Sequence, residues 1–292
     1  MIRYQVDFQN EYFVEYFRRS AKLQSRTLMV SNSDVPEQFI SVCTTCMNRL
    51  RDLRITLPKN IEDNASYLNA EFILLDYGSV DGLLEWVTQE MRPHLESGRL
   101  RYYRTKQDYF RPNHSRNTTF RLARGKIITN VDADNFMHPG FLKRINQCAS
   151  LRNDRLIILP ESFLKPGSDR LILRGRFAIY RDDLIRLGGF DEDLDNGYSH
   201  DDVNFVFRAL LNGFYVARFE DLYLRDRLTT SDAERAQHVR TKSFEGVKIE
   251  NARKTAERLG RCELLVNRGR EWGVSKFEQV LQPVGAGLEA NV

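Results

Sequence analysis

The chain reads as an α/β protein with a mostly parallel central sheet covered by helices. Three observations lead there. Short apolar strands alternate with segments of helical period through the first half, turn residues bound each of them, and acidic residues gather where apolar runs end.

Ile40 to Thr44 reads as the first strand, and Leu50, Leu53 and Leu57 then mark a helix that Pro58 limits to its C-terminal end. Glu71 to Leu75 forms a second strand, followed by a helix marked by Leu83, Leu84, Val87 and Met91 that stops before Pro93. Leu100 to Arg104 and Lys126 to Val131 complete the alternating part. The second half departs from it. Leu156 to Leu159 and Leu171 to Tyr180 read as strands, Asp201 to Leu211 as a helix, and Phe214 to Phe219 as a final strand after Asn212-Gly213.

Two flanks lie outside this pattern. From Asp7 to Lys22 the aromatic residues Phe8, Tyr12, Phe13, Tyr16 and Phe17 fall on one helical face with a basic end, Arg18, Arg19 and Lys22. Packing on the domain is the preferred reading of that face, with a membrane surface or a partner as the second. Ser231 to Arg261 is charged and helix-prone, breaks near Gly260 and continues to an Ala/Gly-rich tail from Pro283. The expected organisation is an N-terminal helical extension over 1–38, a domain over 39–228, and a C-terminal helical extension and tail over 229–292.

With 292 residues, 41% hydrophobic and 29% charged, the chain has ordinary globular usage and enough length for one large α/β domain with extensions. A net charge of +4 is too mild for a nucleic-acid partner and suits an anionic small ligand. No stretch reaches the roughly 18 to 20 apolar residues that span a bilayer, and no signal-peptide pattern opens the chain. The expected location is therefore cytoplasmic, with peripheral contact at the inner membrane face as a variant; the oligomeric state is left open. Cys43 and Cys46 have the spacing of a metal pair, but no second pair accompanies them, and buried free thiols are the better reading.

The chemistry concentrates in three acidic groups. Asn130-Val131-Asp132-Ala133-Asp134-Asn135 places two carboxylates one residue apart where a strand meets a loop, a pattern that suits a hard divalent cation whose open positions take phosphate oxygens. A second pair, Asp201-Asp202, follows Leu187-Gly188-Gly189-Phe190-Asp191-Glu192, and a third group, Asp76-Tyr77-Gly78-Ser79-Val80-Asp81, lies upstream. Each has a bland reading as well. Asp132 and Asp134 suit a solvated turn, and Asp201 and Asp202 suit a helix start, where they would cap it and complement its dipole. Three acidic strand-end sites nevertheless point to one shared cleft, because ligands of open α/β sheets bind outside the carboxyl ends of the strands.

Taken together and in this order, the motifs resemble the metal-dependent glycosyltransferases of the GT-A fold, in particular glycosyltransferase family 2 and the related galactosyltransferases. The likeness runs from about Phe39 to about Arg227. Ile40-Ser41-Val42-Cys43-Thr44-Thr45-Cys46-Met47-Asn48-Arg49 is similar to the family's first strand and nucleotide-binding turn, and Asp76 onward to its Asp-Asp-Gly-Ser-x-Asp. Ser115-Arg116-Asn117 with Leu122-Ala123-Arg124-Gly125-Lys126 resembles the helix and Ala-x-Gly turn that lead into the metal strand. Gly197-Tyr198-Ser199-His200-Asp201-Asp202 with Arg208 resembles the Gly-rich, Glu-Asp motif whose Asp is the catalytic base.

The resemblance implies a nucleotide-diphospho-sugar transferase fold, a three-layer sandwich with a mostly parallel central sheet. It implies transfer of a sugar with inversion from a nucleotide-diphosphate donor, most simply a UDP-sugar, to a hydroxyl of a glycan or glycoconjugate acceptor, with Mn2+ or Mg2+ as cofactor. Carried onto this sequence, Asp134 with Asp132 would hold the metal. Thr45, Arg49, Asp76, Arg116 and Asp132 would bind the donor, Asp76 through the N3-H of a uracil ring. Asp202 would be the base, Asp201 would hydrogen-bond the acceptor, and Tyr198 would lie under a sugar, with Phe190 as a platform or a core residue. Sugar selectivity would rest on loops including Pro160 to Arg170 and Arg174-Gly175-Arg176. Two departures stand out. Tyr77 replaces the family's second Asp, and no His occupies the region Arg225 to Asp232 where galactosyltransferases place a metal ligand. His238 lies just beyond but reads as a solvated residue on a charged helix. A non-catalytic nucleotide-sugar or glycan-binding module on the same fold is the alternative function.

Overall fold

A computed structural model describes residues 35–163, 175–197, 200–224, 228, 234, 237–240 and 244–282. The expected N-terminal aromatic helix, Tyr198, most of the 160–170 loop and the 225–227 and 229–232 positions fall outside them. Eight strands form one sheet: β1 (Ile40–Cys46), β2 (Ala70–Asp76), β3 (Leu100–Thr105), β4 (Ile127–Val131), β5 (Leu156–Pro160), β6 (Arg176–Tyr180), β7 (Tyr215–Phe219) and β8 (Phe277–Leu281). Their spatial order is β7-β5-β6-β4-β1-β2-β3-β8. β1 pairs parallel with both β2 and β4, β2 with β3, and β5 with β7, whereas β6 and β8 run antiparallel to their neighbours.

The strands are apolar on both faces because both are covered. Along β1, Ile40, Val42 and Cys46 enter one core and Cys43 the other; along β2, Phe72 and Leu74 face the first core and Ile73 and Leu75 the second. The chain runs outward from β1 through β2 to β3 and then returns to the opposite side of β1 as β4. The β1/β4 boundary is thus the point where strand order reverses, and open α/β sheets form their crevice at the carboxyl ends of such strands.

The helices are α1 (Leu50–Asp63), α2 (Leu83–Glu90), α3 (Arg92–Glu96), α4 (Pro112–Leu122), α5 (Phe141–Ala149), α6 (Arg181–Leu187), α7 (Asp201–Leu211) and α8 (Phe244–Gly260). Pro58 does not limit α1; it lies inside the helix. Its missing N–H removes the helix partner of the carbonyl of exposed Arg54. Tertiary bonds hold the part beyond it. Thr56 Oγ1 donates to Ala133 O at 2.6 Å, Asn60 Nδ2 to Asn135 O at 2.9 Å, and Asn64 Oδ1 accepts Leu142 N at 3.0 Å. These bonds fasten the loop that carries Asp132 and Asp134.

Buried α4 is unusually polar. Asn113, His114, Ser115, Arg116, Asn117, Thr118 and Thr119 are all enclosed, so every polar group needs a protein partner. Pro112 opens the helix without an N–H to satisfy, and the carboxylate of Asp195 accepts the next two, Asn113 N at 2.7 Å and His114 N at 2.9 Å. Burial pushes that carboxyl up to about 7 against those two donors. Asn117 binds the Gly188-Gly189-Phe190 turn from the other side, its Oδ1 accepting Phe190 N at 2.8 Å and its Nδ2 donating to Phe190 O at 2.9 Å. Gly189 is required there: its φ is +66°, and a Cβ would lie 2.4 Å from Asn117 Oδ1.

The chain beyond 228, expected as a helical extension, supplies α8 and also an eighth strand, with β8 pairing against β3. The connection lies over α4, where Val274 O meets His114 Nε2 at 3.1 Å and Arg121 stacks on Trp272 at 5.3 Å. The expected strand 171–180 is observed as β6 from Arg176, with residue 175 a turn and 171–174 outside the described residues. Cys43, Cys46 and Cys148 are buried free thiols, as expected for the first two, while Cys262 is exposed.

Fully buried Arg208 binds this arrangement together, donating from Nη1 to Leu187 O at 2.9 Å, from Nη2 to Gly189 O at 2.6 Å and from Nε to Asn204 Oδ1 at 2.8 Å. Arg208→Ala strands two turn carbonyls and should destabilise the protein by on the order of 3 kcal/mol in urea unfolding. A midpoint within error of wild type would contradict this role.

Candidate active site

Each strand that ends at the crevice delivers a charged residue to it. Arg49 follows β1; its Nε donates to Asp52 Oδ2 at 2.9 Å and its Nη2 lies 3.5 Å from Asp134 Oδ2. Asp132 follows β4, and its Oδ1 receives Asn130 Nδ2 at 3.0 Å and Arg116 Nη2 at 3.3 Å. Arg116 Nη1 pairs with Asp201, the first residue of α7. Asp202 follows in the same helical turn. Cations are thus set against carboxylates, Arg49 at Asp134 and Arg116 among Asp132, Asp201 and the charge of Asp202.

Arg116 is the centre of this chain of charges. Its guanidinium lies 5.5 Å from the centroid of the Phe190 ring, which stacks on Phe205 at 4.6 Å in the second core. Phe190 is therefore a core residue that supports Arg116, not a platform for a sugar. Burial pulls the Arg116 guanidinium toward neutrality, but Asp132, Asp201 and Asp202 outweigh it and hold the charge more firmly than usual. Burial first, then the charge of Asp201, pushes Asp202 up to about 8; Arg116 opposes the shift and Asp132 adds to it. The N-cap of α7 is His200, in the left-handed region at φ 61°, so the acidic pair fills the first helical turn and does not cap it.

Asp76 is placed differently from expectation. It ends β2 and is fully enclosed: Oδ1 accepts Ser79 N at 2.7 Å, Oδ2 accepts Tyr102 Oη at 2.6 Å, and Arg104 Nε lies 3.6 Å away. Burial raises its carboxyl above the usual range, with those donors opposing. Asp76 thus builds a turn, and no oxygen of it is open to a uracil ring. Ser79 Oγ then accepts Asn48 N at 3.0 Å and Asn48 Oδ1 accepts Val80 N at 2.8 Å, which locks the β1 and β2 turns together beside Arg49. Thr45 lies in β1 opposite Leu75 and is nearly enclosed.

The sequence departures also find places. Tyr77 points away from the cleft, its hydroxyl 2.7 Å from His114 Nδ1 and accepting Arg111 Nε at 3.1 Å, so it joins the β2 turn to α4. His238 is not a solvated helix residue. It sits half-buried in a turn, 3.4 Å from Asn48 Nδ2, and its carbonyl accepts Phe110 N at 2.5 Å. Burial and Arg49 hold its pKa below the ordinary value. Asp191, which precedes the acidic pair in sequence, is buried in an ion pair with Arg258. Sequence reasoning missed Asn130, Asn48, Tyr102 and Asp195, polar residues whose roles depend on contacts far along the chain.

Among the described residues, no three His, Cys, Asp or Glu side chains gather as a metal-ligating group. The two carboxylates of Asp132 and Asp134 nevertheless fit a hard divalent ion that also takes oxygens from a bound diphosphate, since each already faces a guanidinium and so lies where positive charge is favoured.

With this geometry in place, residues 41–178 match the family model described as Glycosyl transferase family 2. No curated protein matches the chain. Among solved structures, the mannosyltransferase PcManGT of Pyrobaculum calidifontis in complex with GDP-Man and Mn2+ is similar with a TM-score of 0.55 at 19% identity, over 80% of this chain and 71% of that one. TarS of S. aureus in complex with UDP-GlcNAc gives 0.52 at 14% identity, over 70% of this chain and 62% of that one. TarS in complex with UDP gives 0.51 at 18% identity, over 62% and 60%. The match thus spans less than two thirds of the TarS chains. These likenesses are of fold, and that fold is GT-A.

Asp202 binds its proton more tightly in the folded protein than in the unfolded chain. Between the ordinary Asp value of about 4 and about 8 the native state holds the extra proton, so Asp202 makes stability fall as pH rises through that window. Asp202→Asn should remove this contribution and gain in melting temperature relative to wild type between pH 5 and pH 8. A difference between the two proteins that does not change with pH would contradict the assignment.

Proposed function

From a chain that carries a Glycosyl transferase family 2 segment on a GT-A fold, we propose a metal-dependent inverting glycosyltransferase that moves a hexose from a nucleotide-diphosphate donor to an acceptor hydroxyl, in a glycan or glycoconjugate. The observation that carries this reading is the Asp201-Asp202 pair, joined through Arg116 to the Asp132 end of β4. Diphosphate-side and acceptor-side groups would then face one volume. A UDP-sugar is the first donor to test, and a GDP-sugar the second, because PcManGT is in complex with GDP-Man.

Arg49 and Arg116 would turn part of their charge from the carboxylates to the diphosphate, and the nucleoside would lie against the Asn48–Ser79 turn that Asp76 supports. Mn2+ or Mg2+ held by Asp134 and Asp132 would supply Lewis-acid stabilisation of the departing diphosphate. Asp201 would accept a hydrogen bond from the acceptor and orient it. Asp202 would take the hydroxyl proton as the oxygen forms its bond to the anomeric carbon. The bond from that carbon to the phosphate oxygen breaks with its electron pair leaving on the nucleoside diphosphate, so one displacement inverts configuration. Asp202 must be ionised to accept the hydroxyl proton, so with its carboxyl pushed up to about 8 transfer should rise with pH toward that value.

Asp202→Asn keeps shape and removes proton acceptance. Transfer should fall by roughly 100-fold to 10,000-fold with nucleotide affinity nearly unchanged, while Asp134→Asn should abolish only the Mn2+-dependent part of nucleotide binding. Radiolabel transfer assays and calorimetry would measure the two. Near-normal turnover by Asp202→Asn would remove it as the base, and unchanged metal dependence would remove Asp134 from the site.

A further inference from the structure

We propose that Asn130 is a positioning residue that aims the Asp132 carboxylate, committing its Oδ1 to the protein and leaving its Oδ2 for the cation. The inference rests on the reading of Asp132 as a donor-site ligand. Asn130 lies inside β4, in register with Cys43 of β1 and Phe177 of β6, and is only 3% exposed. A polar side chain so placed must spend its hydrogen bonds on the protein. Because strand residues two apart share a face, Asn130 comes next to Asp132.

Asn130 Nδ2 carries two protons and both are used: one is donated to Asp132 Oδ1 at 3.0 Å and the other to Gly175 O at 2.7 Å. Arg116 Nη2 adds a second donor to the same Oδ1 at 3.3 Å. Two donors fill that oxygen, whereas no hydrogen bond among the described residues reaches Oδ2. The space for Oδ2 is made by the partner of Asn130. Gly175 has φ +65°, and a Cβ there would lie 2.0 Å from Asp132 Oδ2. The amide therefore joins the aspartate to a backbone position where only glycine leaves room for its second oxygen. The neutral amide does this without adding charge to a site that already balances carboxylates against arginines. Positioning groups of this kind typically change metal affinity by about 10-fold to 100-fold when removed.

The test uses the full chain with Asn130→Leu, which keeps volume and deletes both donated bonds, Asn130→Ser, which keeps a small donor, Asp132→Asn, and the Asn130→Leu/Asp132→Asn double variant. Free Mn2+ is measured by electron paramagnetic resonance with saturating uridine diphosphate, and nucleotide binding is measured separately without Mn2+. We expect Asn130→Leu to weaken Mn2+ about tenfold or more, Asn130→Ser to recover part of the loss, and nucleotide binding without Mn2+ to stay unchanged. In the Asp132→Asn background, Asn130→Leu should have no further effect. If Asn130→Leu does not fold, the same comparison is made with Asn130→Ser, for which a partial loss is expected. Wild-type Mn2+ affinity in a folded Asn130 variant, or equal losses with and without Mn2+, would overturn the positioning role. Wild-type Mn2+ affinity in Asp132→Asn would instead overturn the donor-site reading beneath it.

Discussion

The arrangement of the site depends on one buried cation. Arg116 reaches Asp132 at the end of β4 and Asp201 at the start of α7, two elements that approach the cleft from different parts of the chain. Without its charge, Asp132, Asp201 and Asp202 would repel one another across a half-buried space, and that repulsion would favour opening it. Holding that charge in place needs a rigid support, and α4 supplies it. Phe190 carries the guanidinium, Asn117 fixes the Phe190 backbone, Asp195 holds the helix start, and the C-terminal chain covers the helix. The polar character of α4 follows from this duty: a helix buried on all sides meets turns and segments whose backbone groups need partners.

A functional consequence follows from the same economy of charge. The carboxylates that would hold a cation and the arginines that would hold a diphosphate neutralise each other in the ligand-free protein, Arg49 at Asp134 and Arg116 at Asp132. A divalent ion and a nucleotide diphosphate brought in together exchange these partners at little electrostatic cost, whereas either one alone leaves a charge uncompensated. Donor and ion should therefore favour each other's binding.

Much of the fold was legible because strands buried on both faces leave continuous apolar runs, and the acidic residues at their ends mark where those strands stop. β1 to β4, α7 and the meeting of Asp132, Asp201 and Asp202 follow from those signals. What was not legible depends on tertiary partners. Pro58 suggested a helix end, but Thr56, Asn60 and Asn64 anchor the helix around it. Phe277 to Leu281 is too short and mixed to announce a strand, and becomes one because β3 offers an open edge. The family resemblance puts Asp76 at the nucleotide base, yet Tyr102 and Ser79 enclose it. Tyr77, a departure from the family pattern, serves the packing of α4 and leaves the cleft as it was.

The central claim is that Arg116 belongs to the donor site as well as to the structure beneath it, and Arg116→Lys tests this most directly. Lysine keeps the charge among Asp132, Asp201 and Asp202 but loses the planar fork that reaches two partners at once. Calorimetric titration of uridine diphosphate and guanosine diphosphate in Mn2+ should show affinity at least about tenfold below wild type, in a protein whose circular dichroism is unchanged. Wild-type affinity in the folded variant would contradict the account and make Arg116 a purely structural cation.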